Sequence, residues 1–254
     1  MRPQATGNIS AIAIDCEMVG VRNGRQTLAF LSAVNFLTGE VLISRYVNPD
    51  EDVIDWRYEF SGLTQFIMTS AVASGAAFGS WREARDKLLE FIDKSTVLVG
   101  HSLNYDLEVL GIAHSKVVDS AILTAETVYP SVISTKPLPR MWGLKKLAKD
   151  LLSLTIQDSD YGHNALEDAF AARDILIWCI RNPEELKVWA ENKRVQEKPK
   201  LPQNRTKLGK SRPNSEFPIR KTRQRLEAYD SDDFLLSELA YELGWPEGYD
   251  PWSD

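Results

Sequence analysis

The chain has 254 residues, 43% hydrophobic and 26% charged, with a net charge of −6 at neutral pH. That length suits one domain with a full core, or one domain plus an appendage. The acidic balance excludes a surface that is basic all over, though not a local basic patch.

No apolar run approaches the ~20 residues a membrane-spanning helix needs. Residues 1–10 hold no apolar signal segment. Two cysteines, Cys16 and Cys179, lie far apart without metal-site spacing, which excludes a disulfide framework and a structural zinc cluster. Cys16 reads as a buried strand residue, and the setting as intracellular and reduced. Residues 10–18 alternate, with Ile12, Ile14, Cys16 and Met18 on one side, and predict a strand. Residues 27–34 and Val41–Val47 predict two more, with Asn23-Gly24 and Thr38-Gly39 as turns in an antiparallel meander. A helix is expected near residues 64–73. Trp81, Ala84, Leu88 and Ile92 then recur at helical spacing. Residues 96–100 form a short apolar strand, and residues 101–110 a turn entering a helix. Val117-Val118 is another strand, followed by a helix that Asp119 or Ser120 caps. Pro130, Pro137 and Pro139 make residues 129–140 a loop. Residues 142–152 and 164–180 return to helix. Hairpins followed by strand-helix-strand units predict an α/β fold, a mixed sheet flanked by helices.

The composition changes after residue 192. Residues 193–225 hold twelve Lys or Arg, two acidic residues and four prolines, a net of +10. Residues 226–254 hold nine acidic residues and no Lys or Arg. Three parts follow: a domain over 1–192, a basic proline-containing linker over 193–225, and an acidic tail over 226–254. The basic run has little to bury. In the tail, Leu235, Leu239 and Leu243 have the spacing of a short docking helix, with Trp245 nearby.

Asp15 and Glu17 stand two apart in an apolar strand and point to one face, roughly 6.5–7 Å apart along the chain. Two carboxylates on one sheet face are costly without a positive partner, and divalent cations are the usual one; the polar face of an edge strand is the plainer reading. Asp106 lies early in a predicted helix, where an acid is favourable in any case. His101 reads as a structural hydrogen-bonding residue. His163 and Asp168, if both helical, lie about 140° apart and share no stripe. They flank one site only if His163 stands at the helix start. Glu167, four from His163, offers it a local pair instead.

Taken together, these pieces resemble the DEDDh exonucleases, in particular the RNA exonuclease branch of small eukaryotic nucleolar and antiviral enzymes. The resemblance rests on DCEMVG from Asp15, VGHSLNYDL from Val99 and HNALEDA from His163. It rests also on YVNPDEDVIDWRYEFSGL from Tyr46, with Val53, Asp55, Arg57, Ser61 and Gly62, and on Val118-Asp119 and WGLKKLA from Trp142. It covers about residues 10–180. Two places depart from the family pattern: Asn104 and Tyr105 stand where a His and an Asn are common, and KPLPR precedes Trp142.

The resemblance implies an RNase H-like mixed β-sheet flanked by helices, and 3′-to-5′ hydrolysis with release of 5′-mononucleotides. It implies two divalent cations, Mg²⁺ or Mn²⁺: Asp15 bridging both, Glu17 and Asp168 completing one, and Asp106 supporting the other through water. His163 is then the general base. Met18 is expected beside the 3′-terminal nucleotide, or simply in the core. Arg57 is expected at the terminal sugar or phosphate, or in a surface ion pair. Lys136, Arg140, Lys145 and Lys146 are expected either at phosphates or on a solvated face. Single-stranded RNA is favoured over DNA, and the nucleus or nucleolus over the cytoplasm. A DNA-directed exonuclease of the same family, or a non-catalytic nucleic-acid-binding or scaffold protein, is the alternative. The basic run binds nucleic acid, serves as a nuclear-targeting patch, or folds back on the acidic tail.

Overall fold

The computed structural model of the chain describes residues 9–130, 138–158 and 162–197. The expected tail helix, most of the basic run, Lys136 and most of the proline loop lie outside them.

Six strands form one sheet, in the spatial order β4 (Ala77–Phe78), β3 (Val41–Val47), β2 (Gln26–Asn35), β1 (Ala11–Gly20), β5 (Val97–Gly100) and β6 (Val117–Asp119). β1, β2 and β3 make the expected antiparallel meander. β5 and β6 add in parallel on the other side of β1. β4, which pairs in parallel with β3, is too short to leave a periodic signal. So is α1 (Tyr58–Ser61), a single helical turn.

Helices follow where the apolar period changes. α2 (Gln65–Ala73) and α3 (Trp81–Leu89) start at Thr64 and Ser80, whose hydroxyls accept from Ile67 and Glu83 N–H groups. Ser and Thr at the N-cap satisfy donors that the first turn leaves orphaned. α4 (Leu103–Leu110) follows β5, and α5 (Ser120–Val128) follows β6. α6 (Leu144–Leu147) runs on into a wider π turn, Ala148–Leu152. α7 (Ala165–Arg181) is capped by Asn164.

α8 (Pro183–Glu197) was not anticipated. Pro183 suits a first helical position, and Leu186 and Ala190 pack with α5 and α7. The boundary expected at 192 therefore falls inside a helix. Lys193 is only 9% exposed, with Nζ 2.7 Å from the Asp150 carboxylate, and Arg194 Nε donates to the Val128 carbonyl at 2.9 Å. These two cations belong to the folded unit and not to a linker.

Strand alternation sorts the sheet into two faces. Ile12, Ile14, Cys16 and Met18 pack with Leu28, Leu31, Leu98 and the apolar stripes of α3 and α4. Ala13 faces the other way, against Leu176 of α7. Asp15 and Glu17 continue that second face toward the start of α7.

Asp119 ties this half of the molecule together. Its carboxylate accepts from Leu103 N–H (2.7 Å), Ala121 N–H (2.8 Å), Ser102 N–H (3.1 Å) and Ile122 N–H (3.4 Å). One buried side chain thus serves the N-termini of both α4 and α5. At about 1 kcal/mol per cap, plus the desolvation of N–H groups left unpaired, Asp119→Ala is expected to cost about 2–4 kcal/mol. For a domain of this size that lowers Tm by about 5–15 °C. Scanning calorimetry checks this, and an unchanged Tm contradicts it.

Candidate active site

β1 pairs with β5 only over Ala11–Ala13. Beyond that point β5 has ended at Gly100, and the edge of β1 opens into a cleft. A side chain at Gly100 would come within 3.2 Å of the Ile14 carbonyl and 2.7 Å of Leu103 Cδ1, so glycine lets α4 fold in directly after the strand. The cleft, about 390 Å³, is lined among others by Asp15, Met18, Phe60, Asp106, His163 and Asp168.

The four acidic residues come from three elements. Asp15 and Glu17 lie on β1, Asp106 in the first turn of α4, and Asp168 in the first turn of α7. Glu17, Asp106 and Asp168 are buried, at 5%, 4% and 3% exposure. Burial raises the Asp15 carboxyl well above its usual range, and Asp106, Asp168 and Glu17 push it further. Glu17 is raised by burial and then by Asp168 and Asp106, while the Ala165 N–H and the Arg57 charge pull it back. Burial lifts Asp106 to about 8, although it accepts from the Cys16 thiol and the Cys16 N–H on the exposed edge of β1. Asp168 is pushed by burial to about 7, against a hydrogen bond from Gln157. Four crowded acids, three of them buried and Asp15 partly so, are unfavourable unless a cation or protons compensate.

Among the described residues no three His, Cys, Asp or Glu side chains form a ready-made cage for a cation. The donor set nevertheless suits a hard divalent ion, since every carboxylate offers oxygen. Glu17 Oε1 and Asp168 Oδ1 are buried with no hydrogen-bond partner among the described residues. A bound cation would satisfy both.

His163 stands before α7, two residues ahead of its first turn, and so escapes the angular conflict that a fully helical placement would impose. Its Nδ1 lies 3.8 Å from Asp168 Oδ2, too long for a hydrogen bond. Burial and then Lys145 hold its pKa below the usual value, with Glu167 opposing. The ring packs edge-on to Phe60, and the His163 N–H donates to the Phe60 carbonyl at 2.6 Å. Gly162, at φ +84°, fixes this docking, because a Cβ there would sit 2.2 Å from the Gly62 nitrogen.

The family model RNase_T, described as Exonuclease, matches residues 12–176. The chain belongs to that exonuclease family. It is 29% identical over 67% of its length to RNA exonuclease 3 of Candida albicans, and 33% identical over 71% to small RNA degrading nuclease 2 of Arabidopsis thaliana. It spans only 38% and 37% of those two relatives. Among solved structures it resembles the Saccharomyces cerevisiae Pan2 pseudoubiquitin hydrolase-RNA exonuclease module, in complex with AAGGAA RNA. The TM-score is 0.62 at 21% identity, over 78% of this chain and 33% of that one. The sheet and its helices have the RNase H-like exonuclease fold.

In this exonuclease domain the remaining anticipated residues separate by position. Met18 lines the cleft. Arg57 sits at its margin, close enough to lower the Glu17 pKa, with Nη1 donating to Gln26 Oε1 at 2.6 Å and the guanidinium over the Phe60 ring. Lys145 lines the cleft and donates to the Gln157 carbonyl at 2.9 Å. Lys146 does not line it. It is the next residue on α6, turned by about 100°, and pairs with Asp150 at 2.9 Å. Arg140 lies against the Trp142 ring. His101 lines the cleft, held by Ser120 Oγ at 2.9 Å, and burial drops its pKa to about 4, so it is neutral at working pH. Gln157 was missed, because neither period nor spacing marks a single amide in an irregular loop.

Among the described residues, no helix is long and apolar enough to cross a membrane.

Proposed function

We propose that this chain is a 3′-to-5′ exonuclease that hydrolyses single-stranded RNA to 5′-mononucleotides, using two divalent cations, Mg²⁺ or Mn²⁺. The observation that carries this reading is a set of four neighbouring acids, three lining one cleft and Glu17 buried beside them, two with orphaned buried oxygens, in a chain of the exonuclease family. Asp15, Glu17 and Asp168 hold the cations directly, and Asp106 supports them from α4. Bound ions of this kind acidify the attacking water and neutralise charge on the leaving oxygen. His163, kept neutral by burial and Lys145, accepts the water's proton. Met18 and Phe60 pack against the terminal nucleoside, and Arg57 and Lys145 contribute positive charge beside the phosphate.

RNA is favoured by the RNA exonucleases among the relatives and by the RNA-bound Pan2 module. The basic run adds sequence-independent attraction for phosphates and serves as a nuclear-targeting patch, which supports action in the nucleus or nucleolus.

Timed digestion of 5′-labelled and 3′-labelled RNA and DNA oligomers, with Mn²⁺, Mg²⁺ or chelator, tests the reading. The expected result is a metal-dependent ladder on 5′-labelled RNA, immediate release of label as mononucleotide from the 3′ end, and slower loss of DNA. Binding without cleavage would favour a scaffold, and faster cleavage of DNA a DNA-directed enzyme.

A further inference from the structure

Gln157 lies in the loop between the π turn and the His163 segment, and three contacts from two helices, α6 and α7, converge on it. Its backbone N–H donates to Glu167 Oε2 on α7 at 3.0 Å, and its carbonyl accepts from Lys145 Nζ on α6 at 2.9 Å. Its backbone is left-handed, at φ +52°, a conformation that costs a non-glycine residue free energy and persists only where its surroundings impose it. Held this way, its side-chain Nε2 donates to Asp168 Oδ2 at 2.8 Å. The other oxygen of that carboxylate, Oδ1, is buried and has no hydrogen-bond partner among the described residues.

We propose that Gln157 is a positioning residue for Asp168: its amide occupies Oδ2 and thereby presents Oδ1 as the oxygen offered to a cation. This rests on the two-cation reading of the same site. Only the amide nitrogen can face a carboxylate oxygen productively, so the contact also fixes which way the Gln157 amide points. The brace from Lys145 and Glu167 sets the reach, because it pins the Gln157 backbone and leaves the side chain a single span to Asp168. Groups that orient a ligating carboxylate govern cation affinity without touching the ion.

The test is calorimetric titration of the whole chain with Mn²⁺, with Tm in chelator recorded beside it. Gln157→Met keeps the length but lacks the donor. It is expected to weaken Mn²⁺ binding by about 10–100-fold, with the rate partly recovered at high Mn²⁺ and KM for RNA unchanged. Gln157→Asn separates positioning from a merely structural role. Asn tolerates the left-handed backbone better than Gln, so a structural role predicts unchanged Mn²⁺ affinity and equal or higher Tm. The positioning role predicts weakened Mn²⁺ binding despite that Tm, because the shorter side chain falls short of Asp168. Wild-type Mn²⁺ affinity in both variants overturns the proposal while leaving the two-cation site standing. Absence of Mn²⁺ binding by the wild type overturns both.

Discussion

Asp15→Asn is expected to abolish hydrolysis, with a fall in rate on the order of 10³ or more, while making the chelated protein more stable. Both effects have one cause. Asp15 feels burial and then three neighbouring acids, so its charge is unfavourable in the folded chain without a cation. An amide of the same shape removes the repulsion, and with it the ligand. The sign extends to pH. Asp168 and Asp106 have folded-state pKa values raised to about 7 and about 8. Folding therefore binds protons, and this contribution to stability is fully present below the ordinary carboxylate range. It is lost as pH rises through about 7–8. In chelator, Tm is expected to fall as pH rises across that window, and Mn²⁺ is expected to restore it most at the alkaline end. Thermal scans of wild type and Asp15→Asn, with rates on a labelled oligomer, check both halves. A variant that hydrolyses at the wild-type rate, or a chelated wild type more stable at pH 8 than at pH 6, contradicts the account.

His163→Ala is expected to lower kcat by about 10²–10⁴ while leaving Mn²⁺ affinity close to wild type. The histidine stands ahead of α7 with its Nδ1 3.8 Å from Asp168 Oδ2, beside the acidic cluster and not within it. Its depressed pKa keeps the ring neutral, which is the form that takes a proton. A ligand role would make the same substitution weaken cation binding first. Rates and Mn²⁺ titrations on one preparation separate the two, and near-wild-type turnover across neutral pH removes the general-base assignment. His101 offers an internal contrast. Burial holds it neutral down to about pH 4, so it contributes no limb to the rate profile near neutrality.

The parts legible in the sequence were those with a local period. Alternation in β1 separated Ile12, Ile14, Cys16 and Met18 from Asp15 and Glu17, because a strand's two faces follow from spacing alone. Apolar recurrence gave α3, while the capping role of Asn164 at the head of α7 came only with the structure. Asp106 was ambiguous for a physical reason. An acid in a first helical turn is ordinary, and only the bare edge of β1 beside it creates the site. Asp119 looked like the cap of one helix, and its service to a second depends on how β5 and β6 bring two N-termini together. Gln157 had no local signal at all, since its partners lie on α6 and α7. The fate of the cations was equally a matter of packing: Lys193 turns inward to Asp150, while adjacent Lys145 and Lys146 diverge on one helix.

The measurement that bears most directly on the account is anomalous diffraction from crystals of the whole chain soaked with Mn²⁺ and a 5′-mononucleotide. Two peaks are expected, both in contact with Asp15, with Glu17 and Asp168 on one of them and the nucleotide phosphate between the ions and His163. Well-ordered nucleotide in the cleft with no Mn²⁺ near Asp15 would contradict it.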